Sequence, residues 1–130
     1  MKIVLTNKEA EEYFFTALCS LDYICSGYDL ELIYDERMYV EAKKVLQKKQ
    51  KPDEVICYEN VLMQLLRLGG GLNLYDHNDE QDNIIVLEDV HERVANTPTR
   101  HLFDMIQGKG DATTDDVIIQ TVFLGEIIYG

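Results

Sequence analysis

The sequence predicts an α+β fold: a single domain of about five helices and a small, mostly antiparallel sheet of three to four strands. Three observations carry that expectation. Capping signals precede several runs of helical hydrophobic spacing. Short alternating runs of apolar and polar residues lie between them. A polar segment at 76–83 separates two apolar runs as a loop would, which places a hairpin near 72–87. At 130 residues the chain has the length of one domain with a sizeable core, and no linker or low-complexity stretch divides it.

Taken in order, Ile3 and Leu5 alternate with Val4 as a short strand would. Thr6-Asn7-Lys8-Glu9 forms a capping-box pattern. The helix it opens, over about 7–22, spaces Ala10, Phe14, Ala17, Leu18 and Leu21 on one face. Gly27 closes that region. Tyr28, Leu30, Leu32 and Tyr34 then alternate with Asp29 and Glu31, the pattern of a half-buried strand.

Asp35 is placed to cap a helix running to about Lys49, with Tyr39, Ala42, Val45 and Leu46 inward. After Pro52, a further helix turns Val55, Tyr58, Leu62, Leu65 and Leu66 to one side, and Gly69-Gly70-Gly71 stops it. Leu72–Tyr75 and Ile84–Leu87 read as the two hairpin strands, joined by a longer, mobile loop. Glu88–Ala95 reads as helix. Thr97-Pro98 then resembles an N-cap followed by proline in the first helical position. For the last segment, Thr113-Thr114-Asp115-Asp116 favours a helix from about 114 to Leu124, against β-branched residues that favour strand.

Composition narrows the function classes. Hydrophobic residues make up 46% and charged residues 28%, as in a folded globular chain. The net charge of −12 repels a polyanion, so direct nucleic-acid binding is disfavoured. Lys43, Lys44, Lys48, Lys49 and Lys51 form a basic run that suits a helix end. No signal-peptide pattern or membrane-length apolar run occurs, so no membrane role is expected. Cys19, Cys25 and Cys57 are odd in number and show no CxxC pair. Reduced, mostly buried thiols and a cytoplasmic location follow as expectations.

Few patterns carry chemistry. Asp76, Asn78 and Glu80 match the start of an EF-hand loop, but Gln81 replaces its glycine and Leu87 its final glutamate. His91, Glu92, His101 and Asp104 hold zinc-type ligands, yet the second histidine of an HExxH pattern would fall on Ala95. Neither a phosphate-binding P-loop nor a GxSxG elbow is present, and Cys57 reads as a thiol on an apolar helix. No cofactor, metal or catalytic residue is assigned.

The remaining candidate is the stretch 91–109. It gathers His91, Arg93, Arg100, His101 and Lys109, with Thr97 and Thr99 at a helix entrance. Free amides, hydroxyls and a guanidinium there suit a phosphate or carboxylate. The alternative is a well-capped helix whose arginine pairs with neighbouring acids. As a ligand site the set is Thr97, Thr99, Arg100, His101, His91 and Arg93.

Four stretches look familiar together. They are Leu5–Glu12, Tyr58–Arg67, Val90–Val94 with Thr97–Leu102, and Gln120–Phe123. As a set they resemble small acidic proteins of unassigned function encoded by tailed bacteriophages. The resemblance implies a phage or mobile-element origin and brings no catalytic residues. The leading expectation is a non-enzymatic accessory protein that binds another protein or itself, with exposed tyrosines as anchors. One alternative is a small-anion binder or enzyme using the 97–101 helix entrance. The other is an acidic nucleic-acid mimic.

Overall fold

The computed structural model describes residues 3–130. Seven α-helices and a three-stranded antiparallel sheet are found among them: α1 (Asn7–Leu18), α2 (Leu21–Tyr28), β1 (Leu30–Ile33), α3 (Glu36–Lys49), α4 (Tyr58–Arg67), β2 (Leu72–Asp76), β3 (Ile84–Ile85), α5 (Leu87–Arg93), α6 (Thr99–Ile106) and α7 (Ala112–Leu124). The α+β class and the hairpin stand. The helix count rises from about five to seven.

One extra helix comes from a break that hydrophobic spacing cannot reveal. The expected helix over 7–22 ends at Cys19, and α2 starts afresh after Ser20. The Ser20 hydroxyl donates to Asp115 Oδ2 at 2.6 Å, tying the corner to α7. Gly27 does not close the region but lies inside α2. The left-handed closing position falls on Asp29, at φ 57°. Asp and Asn tolerate that conformation better than most residues. The strand expected at Ile3–Leu5 is absent. Those residues are unpaired, with Val4 exposed and Leu5 half-buried.

Other boundaries agree closely with the chemistry of their ends. Thr6 and Glu9 close a full capping box on α1. Asp35 accepts from the amides of Arg37 and Met38 at the start of α3. Gly69, at φ 92°, ends α4 in a conformation that favours glycine. Gly70 is closely approached, since a Cβ there would sit 2.6 Å from Leu65 Cδ2 and the ends of the Leu65 and Met38 side chains would have to shift. Val55 is exposed and precedes α4 rather than joining its inner face.

α7 is the middle of the molecule. Asp111, not the expected threonine pair, caps it by accepting from the Thr114 amide, and Gly125 closes it in the left-handed conformation. Residues Val117 through Phe123 are all buried, which explains the β-branched composition: a helix enclosed on all sides selects apolar shape over propensity. It packs against α1, α2, α5 and α6. Phe14 of α1, fully buried, meets Phe123 with ring centroids 5.8 Å apart. No helix among the described residues is long and apolar enough to cross a membrane.

The sheet order is β1-β2-β3, with β2 central. Leu30, Leu72, Leu74 and Ile85 face the core, while Glu31, Ile33 and Ile84 face outward. The 76–83 connection is pinned, not loose. An Asp76–Gln81 bridge closes it, the Asn78 amide donates to Asp76, and Asn83 donates to the Leu74 carbonyl.

The C-terminal residues fold back as a strap over a buried polar cluster. Gln120, 1% exposed, accepts from the amides of Ile128 and Tyr129 and donates to the Tyr129 carbonyl and Asp116. The Tyr129 ring stacks on Tyr28, and its hydroxyl donates to Asp76. Burial disfavours the Asp76 charge, but bonds from Tyr129 and Asn78 outweigh it and hold the carboxyl below its usual range. The Tyr28 hydroxyl donates to Asp116 at 2.5 Å, and this bond, with burial behind it, pushes Tyr28 up to about 12. A phenol raised in the fold stabilises while neutral. Its contribution is full below the ordinary tyrosine value near 10 and is lost as pH rises towards 12. Urea midpoints measured from pH 8 to pH 12 are expected to fall above pH 10, with a smaller fall in Tyr28→Phe.

Candidate interaction surface

Three tyrosines from three elements meet at one end of the molecule. Tyr34 follows β1, Tyr39 lies in the first turns of α3, and Tyr58 opens α4. The Tyr34 and Tyr39 rings stack at 5.2 Å, and Tyr58 lies 6.3 Å and 5.9 Å from them. The Tyr58 hydroxyl donates to that of Tyr34 at 3.3 Å. At these separations the rings fill their own centre, so they form a platform rather than a cage. Burial raises both Tyr58 and Tyr39. Hydrogen bonding to Tyr34 adds to it for Tyr58, as do the carboxylates of Asp22 for Tyr58 and of Glu36 and Glu59 for Tyr39.

Within the platform Tyr34 and Tyr39 are half-buried and Tyr58 is exposed, and Ile33 and Val40 beside it are exposed as well. Ile33 is 41% exposed, Val40 48% and Tyr58 39%. A groove of about 220 Å³ with a mainly polar lining runs between β1 and Tyr58, over Glu31, Leu32, Ile33, Tyr34 and Glu36. Glu36 lines both this groove and a separate hollow beside Arg37, Val40 and Glu41. The signal for this surface was present in the sequence as tyrosines at 34, 39 and 58. Their spacing over three elements concealed it.

The six residues expected around the 97–101 entrance do not assemble into one site. His91 turns to α1, where its Nε2 lies 2.9 Å from Glu11, whose other oxygen accepts from Arg67. Burial opposes the Glu11 charge, but these two partners hold its carboxyl below the usual range. Arg93 donates to the Val122 carbonyl and pairs with Asp89. Arg100 is exposed, and its side-chain hydrogen bond among the described residues is to His101 Nε2, at 3.2 Å.

Thr97 does not cap α6. Pro98 occupies the cap position, and its carbonyl accepts from His101 and Leu102. The turn at Val94–Asn96 draws the Thr97 amide back to Val94, leaving its side chain turned inward. Thr97 is 3% exposed and its hydroxyl has no partner among the described residues, although Thr97 and Thr99 line an open cleft of about 440 Å³. A buried unpaired hydroxyl is destabilising, so Thr97→Val is expected to stabilise the protein by about 1 kcal/mol in urea unfolding.

Many carboxylates have structural employment. Glu9, Asp35, Asp89 and Asp111 accept from backbone amides at helix starts, while Glu11, Asp76, Asp115 and Asp116 hold side-chain partners. Among the described residues no group of three or more His, Cys, Asp or Glu could hold a metal ion. The three cysteines are free, with Cys19 exposed and Cys25 and Cys57 half-buried, against the expectation of mostly buried thiols. Compared with protein-family models, curated proteins and solved structures, the chain matches none of them.

Proposed function

We propose that this is a non-enzymatic accessory protein that acts by binding another protein through the surface formed by β1 and the starts of α3 and α4. The observation that carries the reading is the tyrosine platform, in which Tyr58 is exposed and Tyr34 and Tyr39 are half-buried, with Ile33 and Val40 exposed beside it. Tyrosine supplies contact area and a hydrogen-bonding tip, and apolar groups gathered at a surface mark binding sites more often than scattered ones do. The phage or mobile-element origin implied by the sequence resemblance fits such a role. Three free thiols fit a reducing cytoplasm.

A photoreactive side chain introduced at Val40 tests the reading in cells of the native host. The expected result is a covalent adduct of one defined mass, absent when the same group is placed at Lys109. Equal labelling at both positions, or none at either, would contradict it.

A second reading has one observation in its favour. Thr99 lines the cleft before α6, and the Thr99 and Arg100 amides there have no backbone partner among the described residues, as an anion site needs. Titration with inorganic phosphate should then shift the amide resonances of residues 97–101 saturably, and Arg100→Ala should weaken the effect.

A further inference from the structure

We infer that the outer edge of β1 accepts an extended, lysine- or arginine-bearing segment of a partner protein as a fourth strand of the sheet. The inference rests on the interaction surface proposed above and specifies its occupant. The register fixes which backbone groups are free. The His77 amide donates to the Asp29 carbonyl, so Asp29, Glu31 and Ile33 are the positions that bond to β2. Bonded positions alternate along an antiparallel pair. The amides and carbonyls of Leu30 and Leu32 therefore point away from β2, towards the open edge.

The same alternation sorts the side chains. Glu31 and Ile33 stand on the outer face of the sheet, and Leu30 and Leu32 turn towards the core. A strand laid in the groove beside β1 would place alternate side chains next to Glu31, and the others over Leu32 and against Tyr58. This is strand addition, in which main-chain bonds hold the segment and alternate side chains select it.

Charge chooses the occupant. From residue 9 to residue 36 the sequence contains eight acids and no lysine or arginine. Asp29, Glu31, Asp35 and Glu36 flank the edge itself, Glu31 lying 2.8 Å from His77 Nε2 and Asp35 also capping α3, and Asp22 and Glu59 stand near the tyrosines. A second copy pairing β1 with β1 would set these acids against one another. A cationic strand would meet them, and its ammonium or guanidinium groups could also lie against the exposed Tyr58 ring.

The test is ¹⁵N NMR on the full chain, with a capped hexapeptide of alternating lysine and valine as the probe. Saturable shifts confined to residues 30–34 and 58 are expected, weakening about tenfold as salt rises from roughly 20 to 200 mM. Glu31→Lys should weaken binding about tenfold. The same hexapeptide with its alternate backbone nitrogens methylated on the pairing side should not bind. Absence of shifts at Leu30 and Leu32, equal binding of a glutamate–valine hexapeptide, or full binding of the methylated peptide would each overturn strand addition. If the Val40 adduct still forms in any of those cases, the surface stands and only its occupant is wrong.

Discussion

Gln120→Ala is expected to lose about 4 kcal/mol of stability, as the sum of a cavity and several stranded polar groups. The side chain is 1% exposed and makes four hydrogen bonds, two of them holding the amides of Ile128 and Tyr129. Without it the strap has no anchor on α7, and Tyr129 loses the support for its contacts with Tyr28 and Asp76. Urea unfolding checks this through a lower midpoint. Gln120→Glu separates the hydrogen-bond role from size. A carboxylate there would face Asp116 and the Tyr129 carbonyl, so that variant should be unstable at neutral pH and partly recover as acid protonates the new carboxyl. A loss below 1 kcal/mol in Gln120→Ala would mean the strap contributes little.

Phe14→Ala is the second large effect, expected at about 4 kcal/mol. Phe14 is fully buried against Phe123, so truncation opens a cavity between α1 and the central helix. Globular domains hold about 5–15 kcal/mol in total, which leaves such a variant near its folding threshold. Phe14→Leu, which retains much of the volume, should lose about 1.5 kcal/mol. Thermal melts of the two variants measure the difference. Similar losses in both would show that the site collapses around the smaller side chain.

What could be read in the sequence follows from where each signal is local. The Thr6–Glu9 box, the Asp35 cap and the Gly69 stop are short-range chemistry, and their positions were legible. The α1–α2 break was not, because Ser20 is held by Asp115, ninety-five residues away. Thr97 misled for a similar reason. Its sequence context is that of a cap, but the preceding turn commits its amide and buries its hydroxyl.

The anion set at 91–109 was a reading of composition along the chain. Tertiary structure spends His91 on Glu11 and Arg93 on Val122, contacts no local pattern contains. Exposed tyrosines were expected as anchors, but which ones gather depends on β1, α3 and α4 meeting. The strand alternation at 28–34 did foreshadow the sheet edge, since Leu30 turns in and Glu31 out. That the edge is open becomes visible only when β2 is found to be the central strand.

The most direct measurement is amide hydrogen exchange along β1 in the dilute free chain, each rate corrected for its intrinsic value. An open edge predicts fast exchange at Leu32 between slow neighbours at Glu31 and Ile33, whose amides bond to β2. Protection of Leu32 equal to that of those neighbours would show the edge already covered, and would contradict a docking surface built on it.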